Sequence, residues 1–144
     1  MRTCLLSLLI SVSLSSFSQI TFEKAYFIDN NGLKTECLIK NSDWVNNPVN
    51  FEFKLSADDT PKTMDVSSVK EFGIYNFSRY VSADVKIDRS KTKQTELTRL
   101  KDPEWSDERL FLKVLIDGKA TLYYYQDFYH TRFFYSVDNS QIEQ

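Results

Sequence analysis

The chain has 144 residues, a length that favours a single domain. Its 18 basic and 20 acidic side chains leave a formal net charge of -2, so no whole-molecule field draws it to DNA or RNA. Aromatic residues make up 15%, a bias towards pleated strands, and three glycines with three prolines exclude collagen-like and Pro/Gly-rich disordered classes.

The first residues read as a signal peptide spanning 1–18. Arg2 supplies the positive start, Cys4 to Leu14 an apolar run too short to span a membrane, and Ser16-Phe17-Ser18 the small residues a signal peptidase reads. Cleavage after Ser18 leaves a chain starting at Gln19, destined for the periplasm or secretion, with no transmembrane segment expected in it. It also removes Cys4, so Cys37 stands alone and no internal disulfide can form. Cys37 is in phase with Leu33 and Ile39, which makes it a small buried hydrophobe rather than a reactive thiol.

Residues 19–144 form one β-rich domain by pattern. Phe22 to Ile28 and Leu33 to Lys40 flank the turn cluster Asp29-Asn30-Asn31-Gly32, an opening hairpin. After an Asn-rich loop holding Trp44 and Pro48, Phe51-Glu52-Phe53-Lys54-Leu55 alternates apolar in and charge out. Lys62 to Asp65 pairs back as a short strand, and Asp65 to Lys70 is the one candidate for a helical turn. Phe72 to Tyr75 is extended, and Arg79 to Asp88 alternates with Val81, Ala83, Val85 and Ile87 on one face. Residues 89–109 read as a long surface excursion. Leu110 to Val137 then reads as a three-stranded meander. A two-residue turn at Asp117-Gly118 would set Ile116 against Lys119, Val114 against Thr121 and Leu112 against Tyr123. Both faces of that meander are apolar, which suggests a sheet covered on both sides. The tail from Asp138 to Gln144 is polar and carries no structural signal. The expected fold is all-β, with about eight or nine short antiparallel strands in a sandwich or a small, partly closed barrel.

Catalytic constellations are missing. Gly32, Gly73 and Gly118 lie too far apart for a phosphate-binding loop, and no cofactor is expected. His130 is the only histidine, and no serine sits in a nucleophile-elbow context. One histidine and one cysteine leave too few soft ligands for zinc, and Asp29-Asn30-Asn31 lacks the EF-hand pattern. Asp84 and Asp88 stand about 13 Å apart along one strand, beyond the spacing of a glycosidase pair. Asn76-Phe77-Ser78 matches a glycosylation sequon on three residues only.

Two groups remain as candidate contacts. Tyr and Trp rings stack on sugars and proteins alike. The strand tyrosines Tyr123 and Tyr125 are in phase with core aliphatics. A binding surface is therefore expected at Trp44 and Trp105, placed in loops, and at Phe128, Tyr129 and His130, placed in a turn. Arg89, Lys91, Lys93, Arg99 and Lys101 form a basic patch suited to an anionic surface. The absence of interleaved glycines or aromatics fits a solvated loop better, and nucleic acid is not an expected partner.

The segments Ile20–Leu55, Val69–Ser90, LFLKVLIDGKATLYYY and RFFYSVDNSQIEQ resemble a group of uncharacterised exported proteins of Bacteroidetes (flavobacterial) type. The resemblance implies export and no activity. The label tRNA-modification GTPase carried by some of that group finds no nucleotide motif here to support it. Relatives of this type often continue past the equivalent of Ile142-Glu143-Gln144, which implies a shortened chain. A weaker likeness, of the opening hairpin to a carboxypeptidase-regulatory-like sandwich, lacks the expected proline pattern. The expected function is that of an exported non-catalytic β domain contacting protein or envelope partners. A glycan-binding module is the alternative, and a hydrolase is disfavoured.

Overall fold

A computed structural model describes residues 21–90, 102–138 and 140–144. They form nine strands and no helix: β1 (Phe22–Asp29), β2 (Lys34–Lys40), β3 (Asn50–Lys54), β4 (Lys62–Asp65), β5 (Val69–Ile74), β6 (Ser78–Asp88), β7 (Trp105–Ile116), β8 (Ala120–Gln126) and β9 (Thr131–Val137). The fold is all-β, in one antiparallel sheet of order β4-β3-β2-β1-β5-β6-β7-β8-β9. The helical turn expected after Asp65 is a tight turn instead, with Asp65 Oδ1 accepting from the Ser67 amide at 2.9 Å. The excursion expected to run to residue 109 ends earlier, because Trp105–Arg109 pairs with Asp84–Asp88 as the start of β7. The expected signal peptide lies outside the described residues.

The order forces the sheet to curl. β4 and β5 lie four strand spacings apart, about 19 Å in a flat sheet. The link from Asp65 to Val69 spans at most about 14 Å. Only a sheet rolled towards a half-barrel joins them. The link then plugs the roll. The Val66 carbonyl accepts from Ser82 Oγ at 2.7 Å and Arg109 Nε at 3.2 Å, the Val66 amide donates to Val49 O at 3.3 Å, and Asn30 Nδ2 donates to Ser67 O at 2.7 Å.

Register places the first core inside this roll. Ala25, Phe27, Cys37, Ile39, Phe51, Phe53 and Phe72 share the concave face, with Tyr80 and Phe111 closing it. Phe72 is its hub: it stacks on Phe51 at 4.3 Å and on Tyr80 at 5.0 Å, and meets Phe111 edge-on at 4.9 Å. A second cluster lies on the opposite face of β6–β9: Val85, Ile87, Leu112, Tyr123, Tyr125 and Phe134. Burial changes sides at β6 and β7. Tyr80 and Phe111 point into the first cluster, their neighbours Val81 and Leu112 into the second. The tail is not structureless, since Ile142 packs on the second cluster and Glu143 exchanges amide bonds with Tyr135 at 2.7 and 2.9 Å.

The β7–β8 register differs from expectation. A two-residue hairpin turn of the favoured kind needs positive φ, and neither Asp117 nor Gly118 has it; Gly32 is the one glycine with positive φ among the described residues. The loop is longer, Ile116 faces Leu122, and a bulge before it leaves Val114 opposite Tyr123. The shift is by two for Leu112 and Val114, so they still share a face with Tyr123 and Tyr125. Ile116, expected on that face, turns to the other.

Asn47 holds the roll shut. Its loop, residues 41–49, crosses the open side, and Trp44 packs edge-on against Phe72 at 5.8 Å and Tyr80 at 5.7 Å. Asn47 Nδ2 donates to Phe111 O at 2.8 Å and Tyr124 O at 2.9 Å, and Oδ1 accepts from the Gln126 amide at 3.1 Å. Its own amide donates to Gln126 O at 2.8 Å. Asn47→Ala strands these partly buried groups. In urea denaturation it should lower stability by about 3 kcal/mol. Asn47→Asp, which turns an acceptor on two carbonyls, should cost at least as much. Cys37 is 7% exposed, and burial with neighbouring Glu36 pushes its thiol up to about 11. A thiol reagent at mildly alkaline pH should leave the native protein unlabelled and modify it rapidly in guanidinium.

Candidate functional site

The chain brings its charged and aromatic residues together in two places. The first is a polar knot where β6, β7 and the β8–β9 turn meet. Arg89 follows β6 directly. Its Nε and Nη2 grip Glu108 of β7 at 2.7 and 2.5 Å, and Nη1 reaches Asp127 at 2.5 Å. The guanidinium also lies over the Tyr125 ring, 5.3 Å from its centroid. Asp127 Oδ1 accepts from the amides of Tyr129 at 2.8 Å and His130 at 2.7 Å, the local chemistry of an Asx turn. His130 Nε2 lies 2.9 Å from the Arg89 carbonyl, which only accepts, so the ring carries a proton there; Nδ1 lies 3.3 Å from Asp127 Oδ1. Arg132 completes the knot by donating to the carbonyls of Asp88 at 2.8 Å and Ser90 at 3.2 Å.

Charge here is matched and spent. Glu108 is held below its usual range chiefly by Arg89. At Asp127 burial works to raise the pKa, but the Tyr129 and His130 amides and the Arg89 guanidinium outweigh it and hold the group at about 2. The knot anchors the Gln126–His130 turn rather than offering a reacting group. Among the described residues no set of three or more His, Cys, Asp or Glu side chains converges on a metal position. No helix among them is long and apolar enough to cross a membrane.

The second place is a sheet face. On β8 and β9, Leu122 pairs with Tyr135 and Tyr124 with Phe133, and Ala120 pairs with Val137. Ile116 joins them opposite Leu122. All point away from the second core. Ile116 is 60% exposed, Phe133 54%, and Tyr135 and Val137 47% each, with Leu122 and Tyr124 half-buried. The Tyr124 and Phe133 rings lie 5.4 Å apart, and Tyr124 donates its hydroxyl to Gln126.

The five expected contact residues do not assemble. Trp44 is a lid on the first core, held there because its loop must cross the roll. Trp105 lies at the head of β7 rather than in a loop, with Lys86 Nζ 5.9 Å from its ring centroid. Phe128 and Tyr129 stand exposed on the β8–β9 turn, while the His130 ring is spent in the knot. Of the expected basic patch, Arg89 is bound to two carboxylates and is no free cation; Lys91, Lys93, Arg99 and Lys101 lie outside the described residues. Phe133 and Val137, which the expected contact residues did not include, had a signal beside Tyr135. Thr131 to Val137 alternates so that they share one face and Phe134 and Ser136 the other.

The depressed pKa of Asp127 carries a sign. Its stabilising contribution is present above the ordinary value of 3.8 and is lost as pH falls through about 2. Asp127→Asn should therefore cost about 2 kcal/mol at neutral pH. That gap from the parent should close between about pH 4 and pH 2 when urea denaturation is repeated across the range.

No family model, curated protein or solved structure matches the chain.

Proposed function

We propose that the protein is an exported, non-catalytic β domain that works by contact with protein partners, in the periplasm or outside the cell, through the outer face of β8 and β9. The observation that carries this is the row of six large apolar side chains, in register across three strands, four of them exposed and two half-buried between them. Contiguous exposed apolar surface on this scale marks interaction sites. Export rests on the expected signal peptide. The absence of catalysis is supported by the engagement of His130 in the knot and the burial of Cys37.

A protein partner suits this face better than a glycan. Aliphatic Ile116, Leu122 and Val137 flank the rings, and the Tyr124 and Tyr135 hydroxyls already reach Gln126 and Glu143. Few polar groups are left to read sugar hydroxyls. A glycan surface would instead centre on Phe128 and Tyr129, exposed by 87% and 70%.

The chain from Gln19 onward, immobilised and exposed to envelope extract, should retain a protein. A Phe133→Glu, Tyr135→Glu double variant should lose at least about tenfold of that capture, while Phe128→Ser keeps it. Capture indifferent to the double variant would remove the proposal. Binding on a glycan array that disappears with Tyr129→Ala would establish the alternative.

A further inference from the structure

We infer that the occupant of the outer β8–β9 face is a second copy of this chain, docked face to face about a two-fold axis running along β8. The inference rests on the proposal that this face is a protein contact, and it names the partner.

Three observations lead to it. The first is layering. At β8 and β9 the second core covers one side of the sheet, while on the other Ile116, Phe133, Tyr135 and Val137 stay about half exposed and the Asn47 loop reaches only the Tyr124–Gln126 end, so this end is half of a sandwich. A second sheet about 10 Å away would complete it. The second is area. Six large side chains, four of them about half exposed, leave roughly 500 Å² of apolar surface, and with a polar margin the face approaches the about 800 Å² per partner of a standard interface.

The third is charge. An isologous contact must be self-complementary: where one margin of the face meets the other, opposite signs are needed. Lys113 of β7 is register-paired with Tyr124, so it lies on this face at the β7 margin. Glu143 lies at the β9 margin, and its Oε2 accepts from the Tyr135 hydroxyl at 3.3 Å, which places the carboxylate on the same face. A two-fold along β8 brings the Lys113 margin of one copy over the Glu143 margin of the other.

Pairing through the β9 edge is the competing route to a dimer, and the edge is largely closed. Tyr135 is bonded to Glu143 and Val137 to Ser140, and the Thr131 carbonyl accepts from Arg132 Nη1 at 3.1 Å, which leaves the backbone of Phe133 and the amide of Thr131 facing outward with no partner among the described residues. The one self-register that uses Phe133 and Thr131 sets Arg132 opposite its own copy, like charge against like.

The test is sedimentation equilibrium of the chain from Gln19 at physiological salt, from about 1 to about 200 µM. A dimer is expected, with a dissociation constant in the micromolar range. Phe133→Glu should weaken it by at least about a hundredfold, while the urea midpoint measured below the dissociation constant stays in place, since that side chain is half exposed. Lys113→Glu and Glu143→Lys should each weaken it by about tenfold, and the double charge reversal should restore it, because the two margins meet across the axis with the residues offset by two positions, within reach of a lysine and a glutamate side chain. A monomer throughout the range, or a dimer indifferent to Phe133→Glu, overturns the inference. A monomer that still captures an envelope protein through Phe133 and Tyr135 overturns it while leaving the proposed function in place. A monomer that captures nothing removes both.

Discussion

Three residues, Val66 to Ser68, decide the shape of this protein. They must join strands that the sheet order sets four places apart, and no flat sheet lets them. The roll that results gives the molecule an inside, and the aromatic hub around Phe72 fills it. The same turn then bonds to β6 and β7 through the Val66 carbonyl, so the constraint that creates the curvature also ties it. Asn47, from the loop whose Val49 carbonyl accepts from the Val66 amide, serves as donor and acceptor to β7 and β8.

The second core depends on the first. Once β6 and β7 have one face committed to the roll, their alternate residues face outward, and a new apolar cluster forms there with β8, β9 and Ile142. The polar knot around Arg89 closes its end. A guanidinium between two carboxylates, partly screened from water, is favourable because all three of its nitrogens donate, two of them to one carboxylate and the third to the other. Removal of one carboxylate partner leaves the others mismatched, which is why the knot behaves as a fixed anchor for the exposed β8–β9 turn.

Much of the fold was legible in the residues. Alternation in Phe51-Glu52-Phe53 and from Arg79 to Asp88 located β3 and β6, and the Asp29–Gly32 cluster located the first hairpin. Sheet order was not legible, because alternation says which face a residue takes and nothing about its strand's neighbours. That gap explains why the exposed apolar face of β8 and β9 was not foreseen. Apolar residues on both faces of the last strands look like double burial when the strands are assumed central; β8 and β9 sit at the end of the sheet, where one of those faces meets water. The packing of Trp44 on the first core was illegible for the same reason, since nothing local to its loop reveals what the loop crosses.

The hydrogen bonds of Asn47 connect residues 64 to 79 positions apart in the chain. A chain made from its N-terminus therefore completes β1 to β5, and most of the first core, well before the partners of its clasp exist. Until Phe111 and Gln126 have emerged, the loop that carries Trp44 lacks its clasp and the Phe51–Phe72 stack lacks its Phe111 neighbour. Closure is then a late event in folding, coupled to the arrival of the final meander. The interval during which the aromatic interior is accessible is set by the rate at which the last third of the chain is delivered.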